Sequence, residues 1–137
     1  MKKLITLLLA VLMCLALTAC GGKKETAKSY AGKYLLTEMT DDSGEVYDDF
    51  LKESWADKSF YEYCEITEDN LFSVKALTNG EVTTLAEFYF DPATQNIYAD
   101  KDMKQKTSDV LTFTDNGFKM ETDGSSFFFL KTDEIPD

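Results

Sequence analysis

Cysteine, lysine, tyrosine and carboxylate side chains are the groups in this chain that could do chemistry, because it contains no histidine and no arginine. Without histidine there is no Ser–His or Cys–His nucleophile pair, no imidazole acid or base and no common zinc site. Without arginine there is no bidentate clamp for phosphate or carboxylate, although lysine still supplies a point charge. The sequence also contains no glycine-rich phosphate loop and no nucleophile elbow. We therefore expect a protein that is not an enzyme and needs no cofactor.

Cys64 is a candidate nucleophile on residue type alone. It lies between Tyr63 and Glu65 in a β-prone stretch, where the sequence places no base or cation that would favour the thiolate. We predict that Cys64 is a small apolar residue of the core.

An acidic loop offers oxygen ligands of the kind that Ca²⁺ prefers. Five carboxylates fall within nine residues: Asp41, Asp42, Glu45, Asp48 and Asp49. Their spacing lacks the alternate positions and the distal glutamate of an EF-hand. We predict a solvated loop with carboxylates near a helix N-terminus, and no metal site.

The N-terminus has the three-part pattern of an export signal. Two lysines precede an apolar run of 14 residues, Leu4–Leu17, which is shorter than the ~20 residues of a spanning helix. The run ends in Leu17-Thr18-Ala19-Cys20, which resembles the lipobox of bacterial lipoproteins. In that family the cysteine carries a diacylglycerol and the chain is cut in front of it. The resemblance implies that residues 1–19 are removed and that lipid on Cys20 anchors the protein to the extracytoplasmic face of the cell membrane.

Charge divides the remaining chain into a short tether and a single domain. Residues 20–29 are polar and are expected to form a flexible tether, followed by one domain over 30–133. Residues 20–36 carry four lysines against one glutamate, a net of +3, whereas the chain from Thr37 onward has 24 acidic residues against eight lysines, a net of −16. The acidic domain excludes nucleic acid as a partner, because the phosphate backbone would repel it.

One apolar stripe predicts a short helix over Val46–Trp55. The stripe is formed at three- and four-residue steps by Val46, Tyr47, Phe50, Leu51 and Trp55. Asp42 or Ser43 is available as the N-cap. If the helix closes the mouth of a barrel, these five apolar residues are the candidate ligand-binding residues. The alternative is that the helix plugs a finished core.

The rest of the chain has the pattern of strands and tight turns. Tyr30–Leu36 is the first expected strand, and the strands Leu71–Thr78 and Glu81–Phe90 flank Asn79-Gly80, the strongest two-residue hairpin signal. Type I′ turns at Asn116-Gly117 and Asp123-Gly124 would set the register of the last three strands.

That register places the apolar residues of the last three strands on one face. Phe113 is expected to face Met120, which faces Phe127. Phe118 is expected to face Phe129, with Leu111 on the same side. About eight strands must hide their edges, so we predict a mainly β fold, an antiparallel up-and-down barrel or partial barrel with one short helix after the first strand.

The chain resembles a family as well as a fold. The lipobox, the basic stem, the start Gly32–Met39, the acidic loop and the final meander are similar to those of small lipoproteins of Firmicutes, many of which are described as lipocalin-like. The resemblance covers most of the chain and implies a small antiparallel barrel.

Two functions remain open for such a domain. The first is a binding module that holds a small apolar or amphipathic ligand in the barrel mouth. The alternative is a structural or protein-interaction lipoprotein of the envelope with a solid core. A lined cavity of several hundred Å³ would favour the ligand, and a filled interior would favour the protein partner.

Overall fold

The computed structural model describes residues 29–136, so the expected export signal and Cys20 lie outside the described residues. The elements are β1 (Gly32–Thr40), α1 (Asp48–Asp57), β2 (Phe60–Ile66), β3 (Leu71–Thr78), β4 (Glu81–Asp91), β5 (Asn96–Tyr98), β6 (Val110–Phe113), β7 (Gly117–Thr122) and β8 (Ser125–Lys131). No helix within this range has the length and apolar character needed to cross a membrane.

The eight strands form one antiparallel sheet in the order β5-β4-β3-β2-β1-β8-β7-β6. Strand β1 pairs with β2 on one side and with β8 on the other, so it joins two up-and-down meanders. The sheet curls into a nearly closed barrel whose seam lies between β5 and β6. The predicted barrel fold, with a short helix after the first strand, is confirmed.

The seam of the barrel is covered from two directions. In the loop that follows β5, Thr107 N donates to Ile97 O at 3.0 Å and so occupies part of the free edge of β5. Tyr30, predicted to lie within the first strand, precedes it instead, and its ring contacts Phe90 of β4 and Phe113 of β6 at centroid distances of 5.3 and 4.7 Å. Tyr30 therefore packs between the two sides of the seam.

Two of the three predicted hairpin turns are confirmed. Asn79-Gly80 has φ values of +52° and +81°, the left-handed pair of a type I′ turn, and Thr78 pairs with Glu81. Asp123-Gly124 has φ values of +48° and +83° and joins β7 to β8 in the same way.

The third predicted turn, Asn116-Gly117, is wrong. Phe113 pairs with Phe118 rather than with Met120, so the turn is two residues longer, and Gly117 is already the first residue of β7. Glycine is required there for another reason, since a Cβ on Gly117 would overlap the carbonyl oxygen of Phe129. In a sequence, a glycine that a close approach between two strands requires cannot be told from a glycine that a turn requires.

The apolar face of the last three strands survives this correction. Strands β7 and β8 pair Phe118 with Phe129 and Met120 with Phe127, as predicted. The β6–β7 register differs from the predicted one by two residues, and a shift of two keeps every side chain on the same face. Leu111 accordingly stays in the interior.

Helix α1 begins two residues later than the apolar stripe predicts. Val46 forms a β-bridge with Thr40, and Tyr47 N donates to Met39 O at 2.8 Å. These residues are apolar and fit the helical period, but their backbone continues the turn that follows β1. The helix starts once that pairing ends.

The predicted N-caps are also wrong, because Tyr47 occupies the cap position and makes no side-chain cap hydrogen bond. Within the described residues, neither Asp42 nor Ser43 makes a capping hydrogen bond to the helix. The neighbouring Asp41 organises the loop instead, since its Oδ1 accepts the backbone N–H groups of Ser43 and Glu45, each at 2.9 Å. Hydrogen bonds from Ser43 and Glu45 lower the pKa of the Asp41 carboxyl.

The barrel interior is filled by side chains. Its buried residues are Tyr34, Leu36, Leu51, Cys64, Ile66, Phe72, Phe90, Ile97, Leu111, Phe118 and Phe129. Phe118 of β7 contacts the rings of Tyr34, Phe72, Phe113 and Phe129 at centroid distances of 5.1, 5.8, 5.1 and 4.8 Å. Because these rings come from β1, β3, β6 and β8, aromatic contacts cross the barrel from wall to wall.

Candidate functional site

The five predicted ligand-binding residues do not surround one cavity. Leu51 packs in the barrel interior, whereas Trp55 packs on the outer face against Tyr61, with ring centroids 4.8 Å apart. Val46 and Phe50 are exposed, at 52% and 60%. Tyr47 is half-buried, and its hydroxyl donates to Asp41 Oδ2 at 3.2 Å. Ligand binding by this set remains a prediction.

Cys64 is fully buried in the interior cluster. Burial raises the pKa of its thiol well above the ordinary value, and the nearby charge of Glu62 raises it further. The thiolate, which is the reactive form, is therefore disfavoured. This environment suits a structural residue.

A second apolar cluster lies on the outer face of the sheet. It contains Leu35, Tyr61, Tyr63 and Ile135, with Trp55 and Leu77 packed against it. Strand alternation explains its position, since residues 61 and 63 of β2 point away from the interior residues 64 and 66. Both faces of β2 are therefore covered. Antiparallel strands more commonly have one face on the core and the other in solvent.

The cover on this outer face is the segment Thr132–Pro136, which follows β8. Ile135 is 5% exposed and belongs to the outer cluster. Lys33 Nζ donates to the carbonyl oxygens of Pro136 at 2.7 Å and of Ile135 at 3.5 Å. Packing thus continues past residue 133, where the domain was expected to end.

Beside this segment runs an open hollow of about 640 Å³, which we call the outer groove. Its apolar lining consists of Tyr61, Tyr63, Leu77 and Val82, and its charged lining consists of Lys33, Glu65 and Lys75. Pro136 and Gly80 also contribute to it. A second hollow of about 430 Å³ lies on the other side of the segment, near Gly32 and Ile66.

The charges of the outer groove are largely compensated. Lys75 Nζ lies 2.6 Å from Glu65 Oε2, with both side chains about a quarter exposed. That hydrogen bond raises the pKa of Lys75. The hydroxyls of Tyr61 and Tyr63, in contrast, have no hydrogen-bond partner within residues 29–136. Burial raises the pKa of Tyr61, so it remains a neutral donor.

One sequence signal for this site is independent of the apolar stripe and of the turns. Strand β2 reads Phe-Tyr-Glu-Tyr-Cys-Glu-Ile, with aromatic residues at positions of both parities. Such a strand is expected to be covered on both faces. The cover itself could not be predicted, because Ile135 lies more than 70 residues along the chain from its tyrosine partners.

The groove combines apolar surface, two tyrosine hydroxyls and a lysine that binds backbone carbonyls, which are groups suited to holding another molecule. Within residues 29–136 no three acidic or cysteine side chains are grouped as metal ligands. Comparisons with protein-family models, with curated proteins and with solved structures give no match to this chain.

Proposed function

We propose that this chain is a lipid-anchored, extracytoplasmic, non-enzymatic binding module that meets another envelope protein through its outer groove. The observation that carries the proposal is the contrast between the two faces of the sheet. Inside, aromatic rings contact one another across the barrel. Outside, a hollow of about 640 Å³ lies open beside buried tyrosines.

The filled interior favours the protein-interaction function over a ligand in the barrel mouth. Leu51 of α1 packs into the same cluster as Phe118 and Phe129, so the helix extends the core at that position. A ligand among these rings would have to displace them, and close-packed cores resist such changes.

The position of the groove suits a tethered domain. It runs along the side of the barrel from Lys33, near the start of β1, to Val82, near the start of β4. The expected tether precedes β1 in the sequence. A partner in the envelope can therefore approach from the side while the anchor holds the domain.

A small apolar or amphipathic molecule in the outer groove is the second candidate. The hollow falls within the range of about 300–1,000 Å³ that is usual for small-molecule sites. The apolar floor and the tyrosine hydroxyls, which have no partner among residues 29–136, would serve such a molecule as well as a protein.

Photocrosslinking in cells from matched positions tests the proposal. Val82, at the edge of the groove, and Val110, on β6, are strand valines of similar exposure, 52% and 53%. A photoreactive residue at Val82 should give a protein adduct that the same residue at Val110 does not give. Equal adducts at both positions, or none at Val82, would contradict the proposal. Native extraction with mass spectrometry checks the second candidate, which requires a stoichiometric small molecule.

A further inference from the structure

The segment Thr132–Pro136 occupies the outer face as a bound peptide would. Its backbone is held by hydrogen bonds from Lys33, and its one buried side chain, Ile135, lies in the outer cluster with Tyr61 and Tyr63. Recognition of backbone carbonyls by a lysine does not depend on side-chain identity. An aliphatic pocket supplies the selectivity.

Few contacts hold this segment in place. Thr132 N donates to Lys33 O at 3.0 Å, and Glu134 N donates only locally, to Thr132 Oγ1 at 3.1 Å. Asp133, Glu134 and Pro136 are exposed. Ile135 is thus the main anchor, and a segment with one apolar anchor can detach while the barrel remains folded.

Detachment would join the two hollows on either side of the segment. Both are lined by Lys33, Glu65 and Pro136, so the end of the segment forms part of the wall between them. Without it, one continuous channel would follow the outer face from Gly32 to Val82. Its parts measure about 430 and 640 Å³ at present.

We propose that this channel is a docking site for an extended peptide segment of a partner protein, with a β-branched aliphatic residue followed by proline. The chain's own Ile135-Pro136 occupies the centre of the channel, and it must leave before the partner segment binds. The inference rests on the proposed protein-interaction function and deepens it by naming the chemistry of the partner.

The reciprocal test removes the segment and returns it as a free peptide. The protein is the full lipoprotein in detergent with residues from 133 onward deleted, and the probe is a synthetic peptide of residues 130–136. Trp55 is the single tryptophan and packs against the outer cluster, so its emission reports occupancy without a label. The matched control is the I135D peptide.

The truncated protein should show saturable binding of the peptide, and the I135D peptide should bind at least tenfold more weakly. The intact protein should also bind the peptide at least tenfold more weakly than the truncated protein does, because the chain's own segment competes at an effective concentration of about millimolar. A truncated protein that keeps its far-UV spectrum and does not bind the peptide would overturn the proposal, as would equal binding of both peptides. The full-length I135D chain is held to the same criteria if truncation prevents folding.

The failures of the two proposals are distinguishable. A specific adduct at Val82 without peptide binding would overturn the peptide chemistry and leave the protein-interaction function in place. Peptide binding without any adduct at Val82 would show the channel to be competent and would contradict a partner in the cell.

Discussion

Glu62 is a carboxylate on the interior-facing side of β2, two residues from Cys64. Burial raises its pKa above the ordinary value of 4.5. No ion pair or hydrogen bond of its side chain is present within residues 29–136. An interior carboxylate without a partner destabilises the fold when it is ionised.

This position gives a prediction about pH. A raised folded-state pKa means that the contribution of Glu62 to stability is most favourable below the unfolded value of about 4.5 and is lost as pH rises through the folded value. E62Q should therefore be more stable than the natural chain at pH 7, and the difference should vanish near pH 3. Urea unfolding at several pH values measures it, with E81Q as the exposed control. A constant difference across pH would contradict the assignment.

At the scale of elements, the turns set the register of the strands. Two asparagines test which Asn-Gly pair forms a type I′ turn, since Asn79 has φ +52° whereas Asn116 is not among the residues with positive φ in the described chain. N79A should cost about 1 kcal/mol, because asparagine adopts the left-handed region more readily than alanine does. N116A should fall within ±0.5 kcal/mol. Equal losses of stability in the two variants would favour the predicted type I′ turn at Asn116-Gly117 after all.

The helix gives a second matched pair. Leu51 is buried in the interior cluster, whereas the neighbouring Phe50 is 60% exposed and contacts Phe60 at a centroid distance of 6.5 Å. L51A should lower the free energy of unfolding by about 2–4 kcal/mol, and F50A by less than about 1 kcal/mol. Denaturant melts of both variants measure this. A small effect of L51A would contradict the packing of α1 into the core and would favour a helix that closes the barrel mouth over a ligand.

The same elements show how much of the fold can be predicted from the sequence. Strand β3 has its predicted bounds and β4 begins at its predicted residue, because the Asn79-Gly80 turn fixes where one ends and the other begins. Strand β4 ends one residue later than predicted. Helix α1 begins later than the sequence predicts, since Val46 and Tyr47 satisfy a helical period and a strand pairing equally well. The outer groove depends on contacts between Ile135 and β2. No local pattern specifies a contact of that separation.

For the whole molecule, the proposed anchor, the charge distribution and the barrel together predict one arrangement at the membrane. The chain from Thr37 onward has a net charge of −16, which an anionic membrane surface repels, whereas the stem before it has +3. Under the proposed lipid anchor, an attraction of about 1 kcal/mol per lysine would favour the stem at the membrane surface. The acidic barrel would then be held away from lipid, which would leave its lateral groove open to an envelope partner.

Lipid attachment at Cys20 is the prediction on which this arrangement depends. Two acyl chains provide stable anchoring, whereas the basic stem alone gives weak, salt-sensitive binding. C20S should release the protein from the membrane fraction and abolish labelling by a fatty-acid analogue. C14S changes a cysteine inside the expected export signal and should fractionate and label like the natural chain. If C20S stays in the membrane fraction in high salt and still labels, the anchor is elsewhere, and the lateral orientation of the groove loses its basis.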